Sequence, residues 1–204
     1  FAAHYIAVHG YDTDQIYLVD TIQQGSNLST SRELFEEGRL WKGPMASNAL
    51  TWTVDVPKTE IDWPKVTRQA IKANAVSYLN PPIKNFGASG IRKAAAQVKT
   101  WPDTIENAPT QLAQMGMLME RAGTGGGLFR RMYRDFLIEA NAYLNIGEIE
   151  EARELIAESS EGWTNAATLL EQFEDDASSI DKVAETLFKN ADLEERAFGL
   201  LASI

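Results

Sequence analysis

The chain has no cysteine and only two histidines, His4 and His9. The missing thiols exclude disulfides, thiolate-ligated metals and a cysteine nucleophile among these 204 residues. With two histidines, a zinc site would need carboxylate ligands, and no His-Glu-x-x-His spacing occurs. No apolar run approaches the roughly 18 residues that a membrane-spanning helix requires. No signal peptide is visible either, so the expectation is a cytoplasmic protein that does not bind membranes. Basic residues are few: 19 Lys and Arg against 29 Asp and Glu give a net charge of −10. General nucleic-acid binding needs a basic face to meet phosphates, and this balance disfavours it. An initiator methionine is also absent, and the chain opens at Phe1 directly into a strand pattern. That reads as a piece of a longer protein.

What is present is a globular composition, 44% hydrophobic and 24% charged. Residues 4–20 read as a β-hairpin, with Tyr5–Val8 and Ile16–Val19 rich in β-branched and aromatic residues around the loop Gly10–Asp14. Thr30, three residues before Glu33, has capping-box spacing and predicts a helix from about Thr30 to Trp41. Residues 49–56 read as a third strand closed by Pro57. Beyond it the pattern is helical: Asp62 and Pro64 open a helix that stops before Pro81-Pro82. Further helices are predicted from Gly87 to Trp101 (ended by Pro102), Pro109 to Ala122, Leu128 to Leu144, Glu148 to Glu174 and Ile180 to Ile204. Within the fourth, Phe129, Tyr133, Phe136, Leu137, Ala140 and Leu144 form one stripe, read as core. The expected fold is α+β: a hairpin and strand over residues 1–56 packed on a larger all-α domain over 57–204. The N-terminal piece is too small to stand alone.

Two constellations carry chemistry. A hairpin loop centred on Asp12 would pair positions summing to 24, which sets His4 beside Asp20. A carboxylate beside an imidazole fixes its tautomer and stabilises the imidazolium, as general-base catalysis needs. A tighter turn at Thr13-Asp14 shifts the register and separates them, and an ordinary hydrogen-bonded strand-end histidine is the bland reading. The second is Gly125-Gly126-Gly127 leading into a helix with Arg130, Arg131 and Arg134. Backbone N–H groups at a helix start favour an anion, and arginines in the first turns oppose the dipole unless an anion or an acidic neighbour compensates. The plain alternative is a tight interhelical turn with solvated arginines. No Gly-Lys-Ser/Thr follows, so it is not a Walker loop. A serine nucleophile from Ser26, Ser29 or Ser31 has no Gly-x-Ser-x-Gly elbow behind it.

His4-Tyr5-Ile6-Ala7-Val8, then Gly10-Tyr11-Asp12, then Ile16-Tyr17-Leu18-Val19-Asp20 resembles the His–Asp half of a papain-like cysteine peptidase fold. It is similar to that half in the bacteriocin-processing peptidases, with Thr21 standing where many relatives have Pro. The stretch from Gly123 to Leu137, with Asn80-Pro81-Pro82, Gly87 and Trp101 upstream, resembles the helical domain of the butirosin-biosynthesis protein H family. The resemblance implies a cofactor-free acyltransferase with a cysteine nucleophile, moving an acyl group from an acyl carrier protein to an amine such as an aminoglycoside. It implies His4 as general base and Asp20 as its orienter, with the cysteine in an upstream part of the same protein. The opposing reading is a non-catalytic binding or assembly module that retains the hairpin. A related peptidase or amide hydrolase is the third.

Overall fold

A computed structural model of the chain describes residues 5–20, 25, 27–43, 46–55, 58–121, 126–174 and 176–204. These form an α+β fold with one three-stranded antiparallel sheet and eight helices. The chain divides into two compact units, Phe1–Thr59 and Glu60–Ile204.

In the first unit, strands β1 (Ala7–Tyr11), β2 (Gln15–Val19) and β3 (Leu28–Ser31) lie in the order β1-β2-β3. The hairpin is present, but in the tighter register. Ala7 faces Val19 and Val8 faces Leu18; after a bulge at His9, Gly10 faces Tyr17 and Tyr11 faces Ile16. The cause is Asp12, whose Oδ1 accepts the N–H groups of Asp14 at 2.9 Å and Gln15 at 2.8 Å. Its own N–H donates to the Gln15 carbonyl at 3.0 Å. An Asx turn therefore reverses the chain over Asp12–Gln15, and the bulge absorbs the odd residue on β1.

The third strand is β3, which pairs with β2 from Gln15↔Ser31 to Leu18↔Leu28. The described residues 49–55 are not in a strand. Asn48 and Ala49 both have left-handed backbone, φ 51° and 55°, which breaks an extended path into that segment. Thr30 is committed to the ladder opposite Ile16. The following helix α1 (Arg32–Leu40) consequently takes Ser31 as its cap, with Oγ accepting from the Leu34 N–H at 3.2 Å. Among the described residues, this unit buries only Ile16 and Leu18 as hydrophobic side chains.

The second unit contains α2 (Trp63–Leu79), α3 (Gly87–Val98), α4 (Trp101–Thr104), α5 (Ala108–Arg121), α6 (Gly127–Leu144), α7 (Gly147–Glu171) and α8 (Ser179–Ser203). The long α7 and α8 pack together as its centre, with α2 and α3 against α8 and α5 and α6 against α7. Asp62 caps α2, its Oδ1 accepting the Lys65 N–H at 3.1 Å, and Pro64 occupies the first turn where its missing N–H costs nothing. Helix α3 stops at Val98, short of the expected Trp101. Pro102 does not end it; Pro102 sits in the first turn of α4, the helical position that tolerates proline. Asn145, at φ 52°, ends α6 and lets α7 begin at once.

Two hydrophobic clusters result. One gathers Ile91, Val98, Leu112, Leu170, Val183 and Leu187; the other gathers Ile71, Leu137, Ile149, Ile156, Phe198 and Leu201. Tyr78 borders both. The stripe read on α6 is only partly core. Leu137 and Ala140 are buried, but Phe129 is 47% and Phe136 39% exposed. The face of α6 is set by Arg130, which points inward to a buried carboxylate and turns the two phenylalanines outward.

Candidate functional site

Asp20 follows the last residue of β2 and is half-buried. One step beyond Ala7↔Val19, the position facing Asp20 in the observed register is Ile6. His4 lies outside the described residues. His9, at the bulge, packs its ring 6.4 Å from that of Tyr17. At the hairpin tip, Tyr17 donates to Asp12 Oδ2 at 2.6 Å. That bond, with the two N–H donors of the turn, holds the Asp12 carboxyl below its usual range and pushes the Tyr17 hydroxyl above its own. Of the serines weighed as nucleophiles, Ser29 lies in β3, Ser31 caps α1, and Ser26 is outside the described residues.

The glycine-rich start of α6 is built by the chain's own acceptors. Gly126 N–H donates to the Met119 carbonyl at 2.9 Å, and Gly127 N–H donates to Glu120 Oε2 at 3.0 Å. Gly125 lies outside the described residues. A Cβ on Gly127 would stand 2.6 Å from the Ser160 carbonyl, so this position needs glycine for α6 to approach α7. Arg131 donates to Glu120 Oε1 at 2.7 Å and to Thr164 Oγ1 at 3.1 Å, and Thr164 donates to the same Glu120 oxygen at 3.0 Å. Burial pushes the Glu120 carboxyl up. The Arg131 hydrogen bond, the Gly127 N–H and the Thr164 hydroxyl outweigh it, so the group sits below the usual range. Arg134 pairs with Asp135 at 2.7 Å. An acidic neighbour thus compensates each of these arginines, the second of the two ways the sequence allowed.

Arg130 leads to the most polar feature of the interior. Its Nε lies 2.9 Å and its Nη2 3.2 Å from the carboxylate of Glu194, which is 1% exposed. The same carboxylate accepts Tyr78 Oη at 2.6 Å, Ser159 Oγ at 2.8 Å and Trp163 Nε1 at 2.7 Å. The Arg130 guanidinium also stacks 4.5 Å over the Trp163 ring. Burial pushes Glu194 up, but the charge of Arg130 and the donors from Arg130, Tyr78 and Trp163 pull it below the usual carboxylate range. Burial, and then the neighbouring Glu194 carboxylate, raise the Tyr78 hydroxyl well above a normal phenol. Glu194 therefore stays ionised with its acceptor sites filled. It has no spare capacity for proton transfer, and the Ser159 hydroxyl is committed to donating to it. Its position explains its role: on α8 it falls between Ala191 of one hydrophobic cluster and Ala197 of the other.

The sequence reading did not single out Glu194, Glu120, Trp163 or Ser159. A signal existed for the first. Val183, Leu187, Ala191, Phe198 and Leu201 mark the inward face of α8 at helical spacing, and Glu194 occupies the gap in that row. A carboxylate in an inward slot demands a buried partner. Among the described residues, no group of three or more His, Cys, Asp or Glu side chains is arranged to hold a metal ion. No helix among them is long and apolar enough to cross a membrane.

The family described as "Domain of unknown function (DUF4872)" matches residues 34–201. The chain belongs to this family. No curated protein and no solved structure matches it. The DUF4872 match starts inside α1 and runs nearly to the end of α8, so it takes in the whole Arg130–Glu194 network and leaves out the β1–β2 hairpin.

Proposed function

We propose that this DUF4872 chain is the C-terminal part of a papain-like acyltransferase that moves an acyl group from a carrier thioester to a small amine. The observation that carries the reading is the antiparallel β1–β2 hairpin with Asp20 directly after β2, joined to the His4…Asp20 and Gly-Arg sequence order. Exposed Tyr5, Val8, Tyr11, Val19 and Trp52 in the first unit support it, because they are apolar surface that the rest of a papain-like domain would cover. Since the chain has no cysteine, the thiol comes from outside these residues. Its thiolate attacks the thioester carbonyl, a new enzyme C–S bond forms, and the carrier thiol leaves with a proton from His4. The amine then attacks the acyl-enzyme; His4 takes its proton and passes it to the departing enzyme thiolate. Asp20 orients the imidazole. This reading needs His4 to reach Asp20 across a diagonal of the hairpin, a span that antiparallel neighbours two positions apart can bridge.

The test is acylation of the cysteine-bearing protein by a carrier thioester, followed by intact mass. An adduct should form, and His4→Ala should slow it about 10²-fold or more, with a smaller loss in Asp20→Asn. An unchanged rate in His4→Ala refutes the assignment. The second reading, an assembly module, draws on the exposed Phe129, Met132 and Phe136 of α6. It predicts no adduct on any cysteine and a complex that Phe129→Ser weakens.

A further inference from the structure

The arginines of the helical unit are, with one exception, neutralised within the chain. Arg92 pairs with Asp192 and Glu195, Arg121 with Glu171, and Arg130 with Glu194. Arg131 pairs with Glu120, Arg134 with Asp135, Arg153 with Glu150 and Glu154, and Arg196 with Glu151. A chain of net charge −10 supplies carboxylates in excess. Among the described residues none of them lies within ion-pair reach of Arg68, nor of Lys65 one turn earlier on α2. Both side chains are exposed and share one helix face. They line a groove of about 550 Å³ whose opposite wall is Tyr143, Leu144 and Ile146, at the corner between α6 and α7. That volume suits a small organic molecule. Asp62 also lines the groove, but its Oδ1 is taken by the Lys65 N–H, and it forms no ion pair with either cation. Tyr143 is held in place by a 2.8 Å hydrogen bond between its hydroxyl and that of the buried Thr67.

Two cations one turn apart, without an ion-pair partner among the described residues and in the first two turns of a helix whose dipole opposes them, favour a compensating anion. At α6 the chain provides its own; at α2 none of the described residues does. We propose that this groove binds an organic phosphate monoester. The dianionic phosphate is matched by Lys65 and the forked guanidinium of Arg68, and the apolar body lies on Tyr143, Leu144 and Ile146. The proposal rests on residues of the second unit alone and does not depend on the acyl-transfer reading.

Calorimetric titration of the 204-residue chain with phenyl phosphate at low salt tests it. Saturable binding is expected, weaker for inorganic phosphate, which lacks the ring, and weaker for benzoate, which carries one charge. Arg68→Gln and Lys65→Gln should each cost about tenfold in affinity, the loss of one charge-assisted contact. Lys84→Gln, removing another exposed lysine with no ion-pair partner among the described residues, should leave it unchanged. Circular dichroism of each variant checks that the helices are intact. The proposal is overturned if phenyl phosphate shows no saturable binding in the millimolar range. It is equally overturned if Arg68→Gln binds like the parent, or if Lys84→Gln weakens binding as much as Arg68→Gln does.

Discussion

Replacing Arg130 by Met removes the only positive charge hydrogen-bonded to Glu194 among the described residues, while keeping most of the side-chain volume. Breaking a buried ion pair from one side costs about 3–5 kcal/mol, because the remaining charge is left in a poor solvent. Here Arg130 is 21% exposed and three neutral donors (Tyr78, Ser159 and Trp163) stay on the carboxylate. These place the ionic loss near the lower end. Losing the guanidinium over the Trp163 ring adds about 0.5–1 kcal/mol, so a total of about 3–4 kcal/mol follows. Urea unfolding followed by far-UV circular dichroism reads it, since the helices dominate that signal. The pH dependence separates charge from packing. In the parent, Glu194 titrates below its unfolded value of 4.5. Its contribution is therefore complete above that pH and lost as the pH falls through the lower folded value. In Arg130→Met burial is no longer opposed by a cation, and the carboxyl moves above its unfolded value. The variant is then penalised most near neutrality, and the penalty shrinks as Glu194 takes up a proton. Glu194→Gln should show the companion effect, its deficit against the parent narrowing below about pH 4.5. A loss under about 1 kcal/mol, or one constant from neutral pH to mild acid, refutes the reasoning.

Tyr133 has a buried hydroxyl with no hydrogen-bond partner among the described residues, and burial pushes its ionisation up to about 12. Tyr133→Phe should accordingly stabilise the chain, by about 1 kcal/mol in urea unfolding; a loss of that size means the hydroxyl is satisfied. Gly116 of α5 is buried against α7, where a Cβ would strike the Ala167 carbonyl oxygen. Gly116→Ala should cost about 1–3 kcal/mol by forcing the helices apart, against a gain if helix propensity alone decided. Asp12→Asn should lower the Tyr17 hydroxyl ionisation toward that of a free phenol in an ultraviolet titration, and speed amide exchange at Gln15. Isolated residues 60–204 should unfold cooperatively in urea, retaining the Arg130→Met penalty. Residues 1–59 alone should give the spectrum of an unfolded chain: the two aliphatic side chains buried among its described residues, Ile16 and Leu18, supply only about 3–6 kcal/mol, far less than the entropy of ordering the strands.

The helices were legible because their signals are local. Asp62 with Pro64, the stop before Pro81-Pro82, and Asn145 with Gly147 act within one turn of the residue that carries them. The errors fall where two local signals compete. Thr30 has capping spacing, but it also has a β-branched side chain suited to a ladder, and pairing with Ile16 wins. Pro102 reads equally as a stop or a start, and the difference lies in whether the preceding residues have somewhere to pack. The hairpin register turned on Asp12, whose carboxylate can sit mid-loop or close an Asx turn with the same sequence. The partners of Glu194 were out of reach for another reason. Its five hydrogen bonds come from α2, α6 and α7, none of which can be placed around α8 by periodicity alone.

The same hub changes how the most distinctive stretch of the sequence should be used. A glycine-rich helix start with three arginines invites a ligand, but a ligand anion there would have to displace Glu120 from the Gly127 N–H and from Arg131. At Arg130 it would compete with a carboxylate that is buried and oriented beforehand, for which the chain has already met the ordering cost. An internal anion at that effective concentration outcompetes a dilute external one. Gly127 is needed for the approach to Ser160, and Arg130 for neutralising Glu194 between two hydrophobic clusters. The stretch is thus a device for seating α6. Since it lies inside the DUF4872 match and the β1–β2 hairpin lies outside it, the architecture that defines the family and the proposed acyl-transfer chemistry rest on different residues. Substitutions at Arg130 should act through stability, whereas those at His4 and Asp20 should act on acylation at unchanged stability. Loss of acylation in Arg130→Lys, at a urea midpoint equal to that of the parent, would reverse this assignment.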